Sequence, residues 1–420
     1  MRFFRSNTQK NAQKIFAALD LGSSKICCAI AVPDEPEGLK LLGVGHQASR
    51  GLKNGKVVHV EALEDAILNA VHAAEQMAGH TINSVFVNFP ALYIDSKTAQ
   101  VEIDLDQRPV DEGHMRRLLT FDYRAYIPPT NEILHVFPIT YVLDNSPGIR
   151  DPRGLTGKKL RVALHLLSAP IGVIESLKSC LARCHLDLGS FVVTPYASAL
   201  STLVDDEMNL GTTIIDIGAE VTTMASFLEG ALVHSDSIAL GGSHITKDIA
   251  RGISTPIAHA ERMKTLYGSL LDVSSDDQET IAVPQMGEAG VPHQSQVPKS
   301  FLTHIIKSRM EETLELVRGR LKNSGMDRLV CQRIVMTGGS SQFHGLQGLA
   351  SKIFGRSVRV AKPYKCKGVS DFVYDPMFAT CSGLLEYAWR DFTGREETVK
   401  LLQEPRHVWN KVSHWLRENF

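Results

Sequence analysis

Two stretches decide the fold: FAALDLGSSKICCAIAV (16–32) and TTIIDIGAEVTTMASF (212–227). Each reads as an apolar strand, a Leu/Ile-Asp-Leu/Ile-Gly turn and a second apolar strand, so the second is a diverged internal repeat of the first. A turn with Gly and Ser between two strands presents backbone N–H groups to phosphate oxygens. Gly permits the dihedral angles and the close approach. Asp20 and Asp216 open the two turns. Near phosphates, each would hold Mg²⁺ through water, because Mg²⁺ keeps much of its own hydration shell. Lys25 adds a point charge. A third turn, TGGSSQ (337–342), sits inside RIVMTGGSSQFHGLQGLASKIF (333–354), a strand-turn-helix pattern, and can lie under a base or ribose. None of the three is a GxxxxGK[ST] loop or a GxGxxG fingerprint. A single Gly turn is usually just a hairpin; the order and repetition carry the signal.

Around these turns strands and helices alternate. KLLGVGHQAS (40–49) predicts a third strand, and SVFVNFP (84–90) begins another. VEALEDAILNAVHAAEQMAG (60–79) places Ala62, Ala66, Ala70 and Ala73 at helical spacing, with Leu63, Ile67 and Val71 between them. Residues 83–165 alternate short strands with one helical piece, DEGHMRRLLTFD, and read as a small α+β insertion. IGVIESLKSCLARCHLDLG (171–189) predicts a helix ending at Gly189. The stretch 243–268 is helix-rich. Residues 272–300, polar with three Pro and no period, read as a loop. A long amphipathic helix is expected from about Phe301 to Lys322, and a helix containing SGLLEYAWRD closes the body. GREETVKLLQEP (394–405) is a charged connector.

The chain ends in RHVWNKVSHWLRENF (406–420). At 100° per residue, Val408, Trp409, Val412, Trp415, Leu416 and Phe420 fall within an arc of about 140°. Arg406, Lys411 and Arg417 outweigh Glu418 on the other side. Such a helix is about 22 Å long and too polar to span a bilayer. Two Trp opposite a basic face suit a helix lying in a membrane interface; the alternative is a terminal helix packed on the chain's own core. Formal net charge is -1, so no global charge draws the protein to nucleic acid or anionic lipid, and membrane affinity must be local. The N-terminus lacks an apolar stretch of signal-peptide length, and no apolar run approaches 18 residues. The expectation is a cytoplasmic protein. Seven Cys without a framework suit a reducing compartment. Cys180, Cys184 and His185 are enough to start a metal site, but no second pair follows, so buried thiols are expected.

Five further segments, SRGLKNGKVVHVEAL (49–63), GLTGKKLRVALHLLSAP (154–170), LGGSHITKDIA (240–250), AERMKTLYG (260–268) and the ending HWLRENF, complete a pattern. It resembles the actin-like ATPase superfamily and, within it, the bacterial cell-division FtsA family. The resemblance runs from Phe16 to Phe420. It implies an α/β, actin-like (ribonuclease H-like) two-lobed fold with an inserted α+β 1C subdomain and a C-terminal amphipathic membrane helix. The implied division is 1A (1–82 and 166–200), 1C (83–165), 2A (201–245 and 331–393), 2B (246–330), a linker (394–405) and the membrane helix (406–420). It also implies ATP with Mg²⁺ and self-assembly into filaments. It implies anchoring of the tubulin-like FtsZ at the cytoplasmic face of the plasma membrane, at the division site, among other divisome proteins and with no nucleic acid.

By motif matching, Gly22, Ser23, Ser24 and Lys25 cradle phosphates, with Gly218 at the second phosphate turn. Asp20 and Asp216 serve the metal and are the candidates for any catalytic role. Gly241 and Gly242 approach the nucleotide, Glu261 and Lys264 flank ribose and base, and Gly338, Gly339 and Ser340 lie against the adenosine. Arg309 matches the position that meets the FtsZ C-terminal peptide, and Lys299, just before it, is a second candidate for that contact; the alternative is an Arg309 paired locally with Glu312 or Thr313. Departures stand out. Many relatives read DIGGGTTD where this chain has DIGAEVTT, so Glu220 brings a carboxylate and Thr223 replaces an Asp. Thr194 stands where chaperone-type relatives carry a Glu. Hydrolysis needs a well-placed water and charge stabilisation, so a nucleotide-dependent polymer with at most weak ATPase activity is expected. Rival readings are a small-molecule kinase of the same superfamily, a pilus-assembly interaction protein, which is not expected to carry the terminal helix, and a chaperone, which needs a large substrate domain.

Overall fold

The structure is a computed structural model and describes residues 14–34, 38–119, 121–273, 278–284, 294–330, 333–368 and 374–395. The first lobe begins with β1 (Phe16–Leu21), β2 (Lys25–Asp34) and β3 (Gly38–Ala48). A short hairpin, β4 (Leu52–Lys53) and β5 (Lys56–Val57), leads to α1 (Val60–Ala78) and β6 (Ser84–Phe89). The imidazole of His59 caps α1 by accepting from the N–H of Ala62, and Gly79 at φ 68° ends it. Helix α1 lies so close to β3 that a Cβ at Gly45 would sit 2.0 Å from the carbonyl of Ala70. Small residues on both elements therefore set their spacing.

An inserted sheet follows, made of β7 (Asp95–Asp104), β8 (Asn131–Leu143), β9 (Ser146–Ile149) and β10 (Lys159–Pro170) in the order β7-β10-β8-β9, with α2 (Glu112–Leu119) against it. The chain then returns through α3 (Ile171–Arg183), β11 (Asp187–Val193), α4 (Thr194–Thr202) and α5 (Asp205–Leu210). The second lobe contains β12 (Thr212–Ile217), β13 (Thr222–Leu228), β14 (Ala231–Ile238), α6 (Gly242–Ile253) and α7 (Ile257–Tyr267). Next come β15 (Thr280–Pro284), β16 (Gln294–Pro298), α8 (Lys299–Asn323), α9 (Met326–Leu329), β17 (Arg333–Thr337), α10 (Leu346–Phe354) and β18 (Ser357–Val360). Strand β19 (Cys366–Gly368) and α11 (Ala379–Phe392) close the described chain.

The internal repeat is realised as topology. The first-lobe sheet runs β11-β6-β1-β2-β3-β19, and the second runs β14-β13-β12-β17-β18. Each has an antiparallel three-strand meander with two parallel strands beyond its first strand, and in the first lobe β19 adds a further parallel strand at the β3 edge. Asp20 faces Cys27 across the first turn as Asp216 faces Thr223 across the second. Strands β1 and β12 are buried along their whole length, as central strands covered on both faces must be.

Four boundaries differ from the sequence reading. The insertion begins after β6, which pairs with β1 in the first-lobe sheet, and extends through β10 to Pro170, so it does not span 83–165. Strand β19 and helix α11 belong to the first lobe and not to 2A. There β19 pairs with β3, and Cys381, Leu384, Leu385 and Ala388 of α11 join the first-lobe core. Helix α3 stops at Arg183: His185 takes a positive φ of 58°, Leu186 N–H returns to the carbonyl of Leu181, and Gly189 lies inside β11. Within 272–300, expected as a loop, β15 and β16 pair as an antiparallel ladder. Among the described residues, no helix is long and apolar enough to cross a membrane. The expected terminal helix, with Val408, Trp409, Val412, Trp415, Leu416 and Phe420, lies outside the described residues.

Candidate functional site

The two repeated turns face each other across an interlobe cleft of about 650 Å³. The first turn is closed by Gly22 N–H donating to the carbonyl of Lys25, which leaves Ser23 and Ser24 at its tip. The second is closed in the same way, by Gly218 N–H to the carbonyl of Val221. Helix α6 is pinned to it: the N–H groups of Gly242 and Ser243 donate to the carbonyls of Gly218 and Ala219. A Cβ at Gly241 would lie 2.5 Å from the Gly218 carbonyl, so only Gly allows this approach. The third turn crosses beneath. Gly338, at φ 88°, would place a Cβ 2.2 Å from Asp216 Oδ1.

Asp20 and Asp216 are both buried at the base of the cleft. Burial pushes the Asp20 carboxyl up to about 7, Lys25 opposes the rise and Asp216 adds to it. Burial also raises Asp216, against the hydroxyls of Ser198 and Thr380, which donate to its Oδ2 at 2.6 and 3.3 Å, and against Lys25. Two buried carboxyls beside one lysine leave the site short of positive charge, which suits a divalent cation. Lys25 Nζ donates to the carbonyl of Met377 at 2.7 Å and lies over the ring of Phe378. Thr223 Oγ1 lines the cleft, buried and without a hydrogen-bond partner. A polar atom in that state marks room for a ligand or an ion.

At the other end, Lys264 Nζ meets Glu261 Oε2 at 2.7 Å, Thr246 Oγ1 at 3.0 Å and the carbonyl of Gly242 at 3.2 Å. The cleft thus gathers Asp20, Gly22, Ser23, Ser24, Lys25, Asp216, Gly218, Gly242, Glu261, Lys264, Gly338, Gly339 and Ser340 into one lining. Gly241 stands one residue behind that surface. Sequence reasoning missed the lining residues Asn54, Asn88, Met377 and Thr380. Asn88 Oδ1 accepts from Leu21 N–H at 2.6 Å and so supports the first turn from β6. These residues carry no Gly signature and reach the cleft only through tertiary packing.

Arg309 and Lys299 lie elsewhere, on α8. Arg309 pairs with Asp248 of α6 and with Glu312, both at 2.5 Å, beside an open groove that also includes Arg251, His304 and Ile305. Lys299 Nζ pairs with Glu279 at 2.9 Å. Leu302 and Ile306 are buried, whereas Ile305, on the same stretch of α8, is half-buried at the groove. Cys180 and Cys184 are buried thiols, and the described residues hold no cluster of three or more His, Cys, Asp or Glu fit to cage a metal.

The chain is 40% identical over 383 residues to the cell division protein FtsA of Rhizobium meliloti (strain 1021), covering 89% of this chain and 87% of that protein. The chain belongs to the FtsA family. The family described as "Cell division protein FtsA" matches residues 213–383, and the "SHS2 domain inserted in FTSA" matches 92–168, in accord with an insertion that follows β6. FtsA of Pseudomonas aeruginosa is 32% identical, covering 97% of this chain and 98% of that protein. As an FtsA-family member the protein has a role in cell division. Its fold is shared with a chain of the PilM-PilN type IV pilus biogenesis complex (TM-score 0.64, 18% identity, 91% of this chain and 98% of that one). It is also shared with MreB5 of Spiroplasma citri bound to AMPPNP (TM-score 0.57, 15% identity, 91% and 98%). Both likenesses support the actin-like fold of this chain.

Proposed function

We propose that this protein binds ATP with Mg²⁺ in the interlobe cleft, assembles into actin-like filaments and anchors FtsZ to the cytoplasmic face of the plasma membrane, among other divisome proteins at the division site. One observation carries the nucleotide reading: the repeated turns bring two buried, charge-starved aspartates together beside a glycine turn that tolerates no side chain. Gly22, Ser23, Ser24, Lys25 and Gly218 would hold the phosphates, Gly338, Gly339 and Ser340 the adenosine, and Glu261 and Lys264 its ribose and base. Asp20 and Asp216 would hold Mg²⁺ through water. Bound there, Mg²⁺ supplies neutralisation of phosphate charge. Lys25 would exchange the carbonyl of Met377 for a phosphate oxygen. MreB5, which shares the fold, is described as bound to AMPPNP and, in a second structure, to ADP.

Membrane attachment would rest on residues 406–420, and FtsZ docking on the groove at Arg309. An acidic peptide there would take over Arg309 from Asp248 and Glu312. Titration of a fluorescent ATP analogue tests the cleft. Asp216→Ala should weaken the Mg²⁺-dependent part of binding, and Gly338→Glu should abolish binding by filling the turn. Parent-like affinity in both variants would remove nucleotide from this cleft.

A further inference from the structure

The lobes touch across the cleft at two depths. At the floor, buried Asp216 accepts from Ser198 of α4 and Thr380 of α11. Nearer solvent, the half-buried carboxylate of Glu220 accepts from the backbone N–H of Asn54 at 2.5 Å. The donor is set by hairpin geometry. Asn54 and Gly55 are the two loop residues of β4–β5, at φ 51° and 76°, with Lys53 paired to Lys56. In a two-residue hairpin with both loop residues at positive φ, the first loop N–H has no partner in the ladder. Once half-buried, it needs an acceptor from elsewhere. The tip has no room to swing toward its own lobe, since a Cβ at Gly55 would lie 2.4 Å from Pro90. It is wedged between Pro90 and Glu220, and all four residues line the cleft. The acceptor is equally fixed, because its turn is closed by Gly218 and Val221 and tied to α6 through Ala219.

We propose that Glu220 is a positioning residue that bolts the β4–β5 tip across the cleft and thereby sets how fast nucleotide leaves. This rests on the nucleotide reading of the cleft. It gives the carboxylate in DIGAE a use other than weakening phosphate binding. A bolt needs an acceptor oxygen, whereas repulsion of phosphate needs a negative charge. Gln keeps the oxygen without the charge, and Ala keeps neither.

Release of a fluorescent ATP analogue from the full chain, chased with excess ATP, separates the two. Glu220→Ala should release about tenfold faster, the effect of losing one hydrogen bond to a charged acceptor. Glu220→Gln should stay within about threefold of the parent by retaining the acceptor. Without nucleotide, amide hydrogen exchange over residues 52–57 should accelerate in Glu220→Ala and not in Glu220→Gln, while thermal midpoints stay close to the parent's. Equal release from both variants, or unchanged exchange over 52–57 in Glu220→Ala, overturns the bolt. If the parent binds no nucleotide, the functional reading falls and the claim about release falls with it. The exchange measurement then still decides whether Glu220 holds the tip.

Discussion

Asp20 is the residue whose chemistry is most exposed to test. Its folded carboxyl titrates near 7, above the ordinary value near 3.8, chiefly because it is buried. The native state therefore holds this proton more tightly than the unfolded chain, and its contribution to stability falls as pH rises from about 4 to about 7. Asp20→Asn removes that slope. The thermal midpoint of the nucleotide-free variant should gain on the parent's as pH goes from about 5 to about 8. Parallel midpoints across that range would show that the carboxyl is not titrating there. Mg²⁺ favours the ionised form, so Mg²⁺-dependent ATP affinity should rise with pH up to about 7 and then level. The glycine turns and their aspartates were legible in sequence because their spacing repeats. Glu220 was legible only as a departure, since nothing in DIGAE says that the carboxylate reaches a hairpin 166 residues away in sequence.

Helices divide into those read from pattern and those that needed the fold. Helix α8 was expected within two residues at each end because its apolar spacing is long and regular. The end of α3 was missed because His185, not a glycine, takes the left-handed conformation there. Placement of α11 was missed because a helix's own sequence does not say which sheet it covers. Its contact with α4 is tight: a Cβ at Gly383 would lie 1.7 Å from the carbonyl of Ala197. Gly383→Ala should destabilise the protein by on the order of 3 kcal/mol, as overpacking in a closed contact does. An unchanged denaturation midpoint would mean the helices separate freely. On α8, Arg309→Gln should weaken binding of a labelled FtsZ C-terminal peptide by about tenfold and lessen its salt dependence. It should leave the fluorescent ATP titration unchanged, because the groove and the cleft share no lining residue. Equal peptide affinity at two salt concentrations would take Arg309 out of the docking site.

Taken whole, the molecule joins a duplicated cleft to a terminal segment of a different character. The duplication was readable because both halves keep the same strand-turn-strand signature; the interlobe contacts were not, because they link residues far apart in sequence. One short helix buries little apolar area, so a single tail should bind a bilayer weakly and reversibly. Filament formation would present many tails together and multiply the effect. Trp415→Glu, a charge in the middle of the apolar arc, should release the protein from anionic liposomes in a pelleting assay. Retained binding would favour a tail packed on the body. The most direct test of the whole account is co-sedimentation of labelled FtsZ with anionic liposomes in the presence of this protein. The prediction is that FtsZ pellets with the vesicles when the full chain and Mg-ATP are both present, and stays in solution when residues 406–420 are removed or Gly338→Glu replaces the parent. FtsZ pelleting to the same extent without the tail, or with the Gly338→Glu variant, would contradict it.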